Sequence, residues 1–259
     1  MQMFDPHTVL AVLGIAVAGG IIGLDRTAAG QFMISQPIVA GPLTGWLLGD
    51  PIAGIVIGAS MELVWLLDMP IGTFVPADAT IGTISAAAAA VLGSPAGASL
   101  PVIGFSMLMT TAIVPVTMQA DGLIRTWNSR LADMVLSAPG EDRGRALTRA
   151  QLTGLSLFFL KSFVLYCIFI PLGIAAVGLF GHLPGAFHRA LALFVKLLPL
   201  VGVALVARKL SMRTIDQYVL IGFVSAAIFG QAIHAPAPVI LMFSAIAGWL
   251  GARYNERRA

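Results

Sequence analysis

Gln36-Pro37-Ile38-Val39-Ala40-Gly41-Pro42-Leu43-Thr44-Gly45-Trp46-Leu47-Leu48-Gly49-Asp50-Pro51 decides how this chain is read. The run is apolar, yet punctuated by Gly and Pro and closed by Gly49-Asp50-Pro51. Crossing about 30 Å of hydrocarbon takes roughly 20 helical residues, and Pro37–Gly49 falls well short. The next two segments share this character. Ile52–Leu67 follows directly after Asp50-Pro51, and Ala79–Leu92 carries the continuous alanine run Ala86–Ala90. Short apolar segments interrupted in this way point to half-spanning or re-entrant helices. Broken backbone at membrane depth persists only where protein buries it or a polar cavity receives it.

The flanking sequence supplies the membrane. Thr8–Leu24, Leu100–Gln119, Leu152–Phe180 and Phe187–Val206 meet or approach spanning length, and Tyr218–Phe229 and Val239–Gly251 are shorter. The 259 residues are 58% hydrophobic and 10% charged, with mean hydropathy +0.92. Soluble domains carry about 25% charge, so this chain lacks the polar surface to cover a soluble particle. The expected fold is all-α: a polytopic transmembrane helical protein with broken or re-entrant helices in its N-terminal half. Thr44-Gly45-Trp46-Leu47-Leu48-Gly49 echoes Gly248-Trp249-Leu250-Gly251, a weak hint of an inverted repeat. The first apolar run begins at Thr8 after a leader containing Asp5, so no cleavable signal peptide is expected.

Three parts follow from the charge distribution. Residues 1–119 form an N-terminal membrane half containing the broken, acidic region. Residues 120–151 form a polar connector, and residues 152–259 a C-terminal membrane half. The connector sets Arg125, Arg130, Arg143, Arg145 and Arg149 against Asp121, Asp133, Glu141 and Asp142. Ile124, Trp127, Leu131 and Met134 recur at helical spacing, which predicts an amphipathic surface helix, a turn at Pro139-Gly140 and a second short helix. Its role is either a solvated link or a docking surface for a soluble partner. If the connector is cytoplasmic, an even number of crossings returns Arg208, Lys209 and Arg213, then Arg253, Arg257 and Arg258, to that side. The C-terminus is thus expected in the cytoplasm and the chain in a bacterial plasma (inner) membrane.

Arg26 and Arg125 bracket a stretch with no Lys or Arg, in which Asp50, Glu62, Asp68, Asp78 and Asp121 occur. A carboxylate at mid-membrane costs at least about 2.5 kcal/mol and faces a bundle interior or a water-filled path. Glu62 lies inside an apolar segment. Asp78 opens the alanine-rich helix, where it suits a helix cap and equally a polar site at a broken helix. Asp50 and Asp68 suit turns or caps, and Asp121 is expected at a solvated loop edge. Ionised carboxylates accept hydrogen bonds from sugar hydroxyls; they suit a proton or sodium ion equally. Gln36, Gln231 and His234 add polar groups near helix ends. Lys161 is expected to snorkel to the membrane edge, and Lys196 either to snorkel or to pair with an acid.

Several chemistries find no support. Cys167 alone excludes an internal disulfide and a cysteine-rich metal site. His7, His182, His188 and His234 are scattered, without metal-ligand spacing. No phosphate-cradling Gly-rich loop with Lys and no serine nucleophile elbow occurs. The net charge of +3 resides in loops and at the C-terminus, so it does not suggest nucleic acid. No cofactor is expected.

Gln36–Asp50, continued by Gly54-Ile55-Val56-Ile57-Gly58-Ala59-Ser60-Met61-Glu62-Leu63 and Ile71-Gly72-Thr73-Phe74-Val75-Pro76-Ala77-Asp78-Ala79, resembles the signatures of the IIC subunit of mannose/fructose/sorbose-type sugar phosphotransferase systems. Tyr218–Ala227 resembles its C-terminal signature. The resemblance implies a permease subunit that binds and translocates a hexose-type sugar alongside a membrane IID subunit, in an oligomer. Phosphoryl transfer is then the work of soluble IIA and IIB proteins, so the chain is no enzyme by itself. Carried over by motif, the sugar-contacting residues are Glu62, Asp78, Gln36, Ser60 and Thr73. The family often has two prolines before that Asp; Ala77 replaces the second here. A stand-alone ion-coupled transporter is the rival reading, and a membrane enzyme lacks a reactive constellation.

Overall fold

The computed structural model describes residues 5–26, 28–65 and 75–210. Asp68, Thr73, Gln231, His234, Arg213, Tyr218–Ala227 and the last two short apolar segments lie outside them, as do the second half of the tetrapeptide echo and the C-terminal arginines. All eight described elements are helices: α1 (Pro6–Leu24), α2 (Pro37–Leu48), α3 (Pro51–Trp65), α4 (Ala79–Leu92), α5 (Leu100–Ile113), α6 (Val116–Ser137), α7 (Arg143–Phe180) and α8 (Gly185–Leu210). Among the described residues, those up to Pro199 form one compact unit, and the end of α8 from Leu200 belongs to a second.

The sorting into long and short helices follows the sequence. Segments within α1, α7 and α8 are long and apolar enough to cross a membrane, whereas α2, α3 and α4 are not. A fourth crossing is available if α5 and α6 act as one span, bent by 42°. The bend falls at Val114-Pro115, where proline removes a backbone donor.

α2 and α3 form a hairpin held by contact of their backbones. A Cβ built on Gly41 would stand 2.6 Å from the Gly58 Cα, and one on Gly45 would stand 2.7 Å from the Gly54 Cα. Only glycine permits this approach, and close approach is how helices associate where lipid offers no hydrophobic drive. Gly49 adopts φ 89° to end α2, and the Asp50 N–H donates to the Gly45 carbonyl at 2.8 Å. The Asp50 carboxylate then accepts from Ala53 N–H at 3.0 Å, at the start of α3, and from Ala98 N–H at 3.2 Å. The expected cap is therefore present, and it also anchors the loop between α4 and α5.

α4 is the centre of the packing. Every residue from Thr80 to Ala90 is buried, and the helix contacts α1, α2, α3, α5 and α7. The alanine run explains this, because small side chains let several helices reach one axis. Ile81, Ile84 and Ala88 pack with Tyr166, Phe169 and Ile170 of α7 and with Ile15 and Ala16 of α1. On another side, Ala86, Ala87 and Ala90 pack with Ile57 and Met61 of α3 and Met107 of α5.

One expectation fails. The second short helix after Pro139-Gly140 is not separate; it is the beginning of α7, which continues without interruption to Phe180. No proline occurs before Pro171 in that helix, so once formed it propagates at one hydrogen bond per residue. At 38 residues, or about 57 Å, α7 must extend beyond the hydrocarbon. The amphipathic helix and the turn are as expected, in α6 and residues 138–142.

Candidate functional site

The site is assembled where α1 ends, α2 begins and α4 begins. The α1 helix stops at Leu24, and the next two residues send their charges in different directions. The Asp25 carboxylate accepts from Phe32 N–H at 2.6 Å and from Ser35 N–H at 3.1 Å. It thereby holds the loop from Gly30 to Ser35, where Gln31 (φ 57°) and Met33 (φ 66°) both adopt the left-handed conformation. Such residues persist only where surrounding contacts over-determine them, and here the Asp25 clamp does so. Burial works against the Asp25 charge, but the backbone N–H groups of Phe32, Ser35 and Ile34 outweigh it and hold the carboxyl below its ordinary value.

Arg26 turns towards α4. Its Nη1 lies 2.9 Å from Asp78 Oδ1, and its Nη2 donates to the Ala77 carbonyl at 3.1 Å. The other Asp78 oxygen, Oδ2, accepts from Lys161 Nζ at 3.3 Å, and Lys161 donates to Asp121 at 2.6 Å. Asp78 Oδ1 also accepts from Ile81 N–H at 3.2 Å, the helix cap expected of it. Two cations and two carboxylates thus alternate through the protein interior, from α1 through α4 and α7 to α6. Burying Asp78, Lys161 and Asp121, with Arg26 partly exposed beside them, is tolerable only because each charge faces an opposite partner.

This network corrects two expectations. Asp121 is buried, at 6% exposure, instead of solvated, and Lys161 is buried between two acids instead of snorkelling. The packing of α6 on α7 brings Asp121 against Lys161 and buries both side chains. Lys196 is exposed, with no acidic partner among the described residues. Neutral bonds complete the anchoring of α4: Asp78 N–H donates to Thr117 Oγ1 at 2.8 Å, and Thr80 Oγ1 donates to the Ser35 carbonyl at 2.7 Å.

Beside this hub lies a cavity of about 340 Å³, within the size range of small-ligand sites. Gln36 and Glu62 both line it, as do Arg26, Gln31 and Trp65 and the α4 residues Ala79 and Thr80. Gln36 precedes α2 without a side-chain capping bond, which leaves its amide unspent on the helix. Glu62 Oε2 accepts from Ile38 N–H at 3.1 Å, one of the donors that the start of α2 leaves unpaired. A carboxylate from α3 therefore closes the open end of the hairpin and still faces the cavity.

The sequence-derived residues separate accordingly. Glu62 and Gln36 meet at the cavity. Asp78 is 3% exposed and sits behind the wall, reaching it through Arg26. Ser60 is buried in α3 at 5% exposure and does not line the cavity. Thr73 lies outside the described residues. Sequence reasoning gave no site role to Arg26, Lys161 or Asp25. For Arg26 a signal existed: four embedded acids lie in a stretch whose nearest bases are Arg26 and Arg125. Lys161 carried none, because its partners are 83 and 40 residues away.

Comparison with known proteins gives this geometry a lineage. A curated relative from Escherichia coli K12, the putative N-acetylgalactosamine permease IIC component 2, is 36% identical over 84 residues. That match covers 32% of this chain and 62% of the relative, so the chain aligns with less than two thirds of it. The mannose-specific EIIC component of the same strain is 22% identical, covering 96% of this chain and 92% of that one. The sorbose-specific EIIC component of Lacticaseibacillus casei is 21% identical, over 92% of this chain and 84% of its own. A solved membrane protein superposes with TM-score 0.71 at 20% identity, covering 98% of this chain and 96% of that chain. The mannose transporter ManYZ, in complex with microcin E492, gives TM-score 0.55 at 21% identity, with the same coverages. These two share the fold. The family profile described as the PTS system sorbose-specific IIC component matches residues 9–247, and the chain belongs to this family of membrane sugar permease subunits.

Proposed function

We propose that this chain binds a hexose-type sugar in the cavity lined by Gln36 and Glu62 and passes it across a bacterial plasma membrane for phosphorylation by a separate IIB protein. The observation that carries the reading is the meeting of those two side chains, one from each arm of the α2–α3 hairpin at its open end, at a cavity of about 340 Å³. Sugar hydroxyls both donate and accept. Glu62 accepts, and the Gln36 amide does both. Asp78 contributes from behind the wall by holding Arg26, Ser60 supports the motif from within α3, and Thr73 belongs to the motif by sequence.

The names of the relatives suggest mannose, sorbose and N-acetylgalactosamine as the sugars to try. The solved ManYZ transporter supports a second membrane subunit of the IID kind, within an oligomer. Soluble IIA and IIB proteins would supply the phosphoryl group, with the α6–α7 hairpin and the C-terminus on their cytoplasmic side. The ion-coupled alternative gains little support: Asp78 and Asp121, the buried acids such a carrier would use, are already neutralised by Arg26 and Lys161.

The test is sugar phosphorylation by membranes containing this chain and its IID partner, supplied with phosphorylated IIB. Glu62→Gln and Gln36→Ala should each raise the KM for the accepted sugar by about tenfold or more. Ion-driven sugar flux in vesicles holding this chain alone, without phosphorylation, would overturn the reading.

A further inference from the structure

We infer that Arg26 is a ligand-contacting donor of this cavity, held in place by a relay of positioning residues, Asp78, Lys161 and Asp121. The inference rests on the sugar-cavity reading above and extends it to a residue that the motif does not mark.

The argument begins with how the guanidinium is used. Arg26 lines the cavity, and its side chain is 22% exposed while that of Asp78 is 4% exposed. Nη2 is bonded to the Ala77 carbonyl at 3.1 Å. Nη1 is ion-paired with Asp78 Oδ1 at 2.9 Å, yet its N–H groups are not aimed for a hydrogen bond, so this buried nitrogen has no hydrogen-bond partner among the described residues. A guanidinium has more N–H donors than these two contacts use, and it keeps its charge at any working pH. Arg26 is therefore fixed by attraction more than saturated by bonds.

The relay explains why the fixing is partial. Asp78 gives one oxygen to Arg26 and the other to Lys161 at 3.3 Å, while Lys161 is more tightly bound to Asp121, at 2.6 Å. Without Lys161, the Asp78 carboxylate would have no other cation and would draw Arg26 away from the cavity. Thr117 and Ser35 immobilise the backbone around Asp78, which sets where Arg26 sits. Glu62 supplies an acceptor and Arg26 a charged donor to one cavity. A sugar hydroxyl uses both senses of hydrogen bonding, and a charge-assisted bond is the stronger kind.

Equilibrium binding decides the matter. The full chain would be purified in lipid nanodiscs with any membrane subunit that accompanies it. It would be titrated with D-mannose, L-sorbose and N-acetyl-D-galactosamine, then with monodeoxy and monofluoro analogues of whichever binds. Fluorine accepts weakly and cannot donate, so a hydroxyl that only accepts from Arg26 tolerates fluorine better than deletion. Arg26→Gln should weaken binding by about 10- to 100-fold, Arg26→Lys by less. At one carbon, the preference for fluoro over deoxy should vanish in Arg26→Gln and survive in Glu62→Gln. Lys161→Met should also weaken binding, and Lys161→Arg should restore it together with that preference. Should Arg26→Gln fail to fold, the double variant Arg26→Gln/Asp78→Asn removes one charge of each sign and leaves Lys161 on Asp121. Wild-type affinity in that double variant, with Glu62→Gln weakened, would overturn the role of Arg26 and leave the cavity reading standing. Wild-type affinity in Glu62→Gln and Gln36→Ala, or no binding of any of the three sugars to the unaltered chain, would overturn the cavity reading and this inference with it.

Discussion

Lys161 on α7 donates to the Asp121 carboxylate on α6 at 2.6 Å, with both side chains under 10% exposed. The same ammonium faces Asp78 at 3.3 Å, so one cation serves two buried acids. Removing it leaves Asp121 without a cation among the described residues and Asp78 with Arg26 alone, and breaking a buried ion pair costs about 3–5 kcal/mol. Lys161→Met should therefore lower the unfolding temperature in detergent sharply. Lys161→Met/Asp121→Asn should recover part of the loss, because Asp78 keeps Arg26. Equal melting temperatures for Lys161→Met and the unaltered chain would show that the network carries no stability.

The hairpin glycines predict a contrast between two alanine substitutions. At Gly54 a new Cβ would meet the Gly41 carbonyl oxygen at 2.5 Å, and backbone cannot step aside as a flexible side chain does. Gly54→Ala should destabilise by about 1–3 kcal/mol or more. At Gly14, inside α1, a Cβ meets nothing within 4 Å, and alanine favours helix by up to about 1 kcal/mol. Thermal unfolding of the two variants should shift in opposite directions.

Tyr166 offers a gain of stability without a new contact. The residue is fully buried, and its hydroxyl has no hydrogen-bond partner among the described residues. An unpaired buried hydroxyl costs about 1–3 kcal/mol, whereas the ring fills the space over Gly19. Tyr166→Phe keeps the ring and should leave the melting temperature unchanged or raise it. A clear fall would mean that the hydroxyl has a partner in the working state.

Asp25 gives a pH dependence with a definite sign. Its carboxyl is held below the ordinary value of 3.8 once the backbone donors of Phe32, Ser35 and Ile34 outweigh burial. A depressed value in the folded state means that the charged form stabilises the fold. That contribution is fully present above pH 3.8 and is lost as pH falls through the lower folded value. The difference in thermal stability between the unaltered chain and Asp25→Asn should be constant near neutrality and shrink below pH 3.8. A difference that grows on acidification would contradict the clamp.

The division of the chain into long and short helices was legible because its signals are local. Pro37, Gly49-Asp50-Pro51 and Asp78 mark the limits of α2, α3 and α4 to within a residue or two of where they fall. Gln36 and Glu62, which line one cavity, were legible as candidates because polar groups are costly in apolar segments wherever they occur. The charge network was not legible. Asp121 and Lys161 become partners only through the packing of α6 on α7, and no periodicity relates residues 40 apart. The length of α7 was obscured because the arginines at residues 143–149 read as a separate short helix of the polar connector, although helix formation is indifferent to their solvation.

The glycine contacts of α2 with α3 bear on how such a protein changes its substrate over evolutionary time. Backbones that touch cannot slide, so Gln36 and Glu62 keep a constant separation whatever the rest of the molecule does. They act as a fixed gauge. On the proposed reading of the cavity as a sugar site, descendants that take a different sugar would be recut at its other lining residues, in the strained loop held by Asp25 and at the guanidinium beside it.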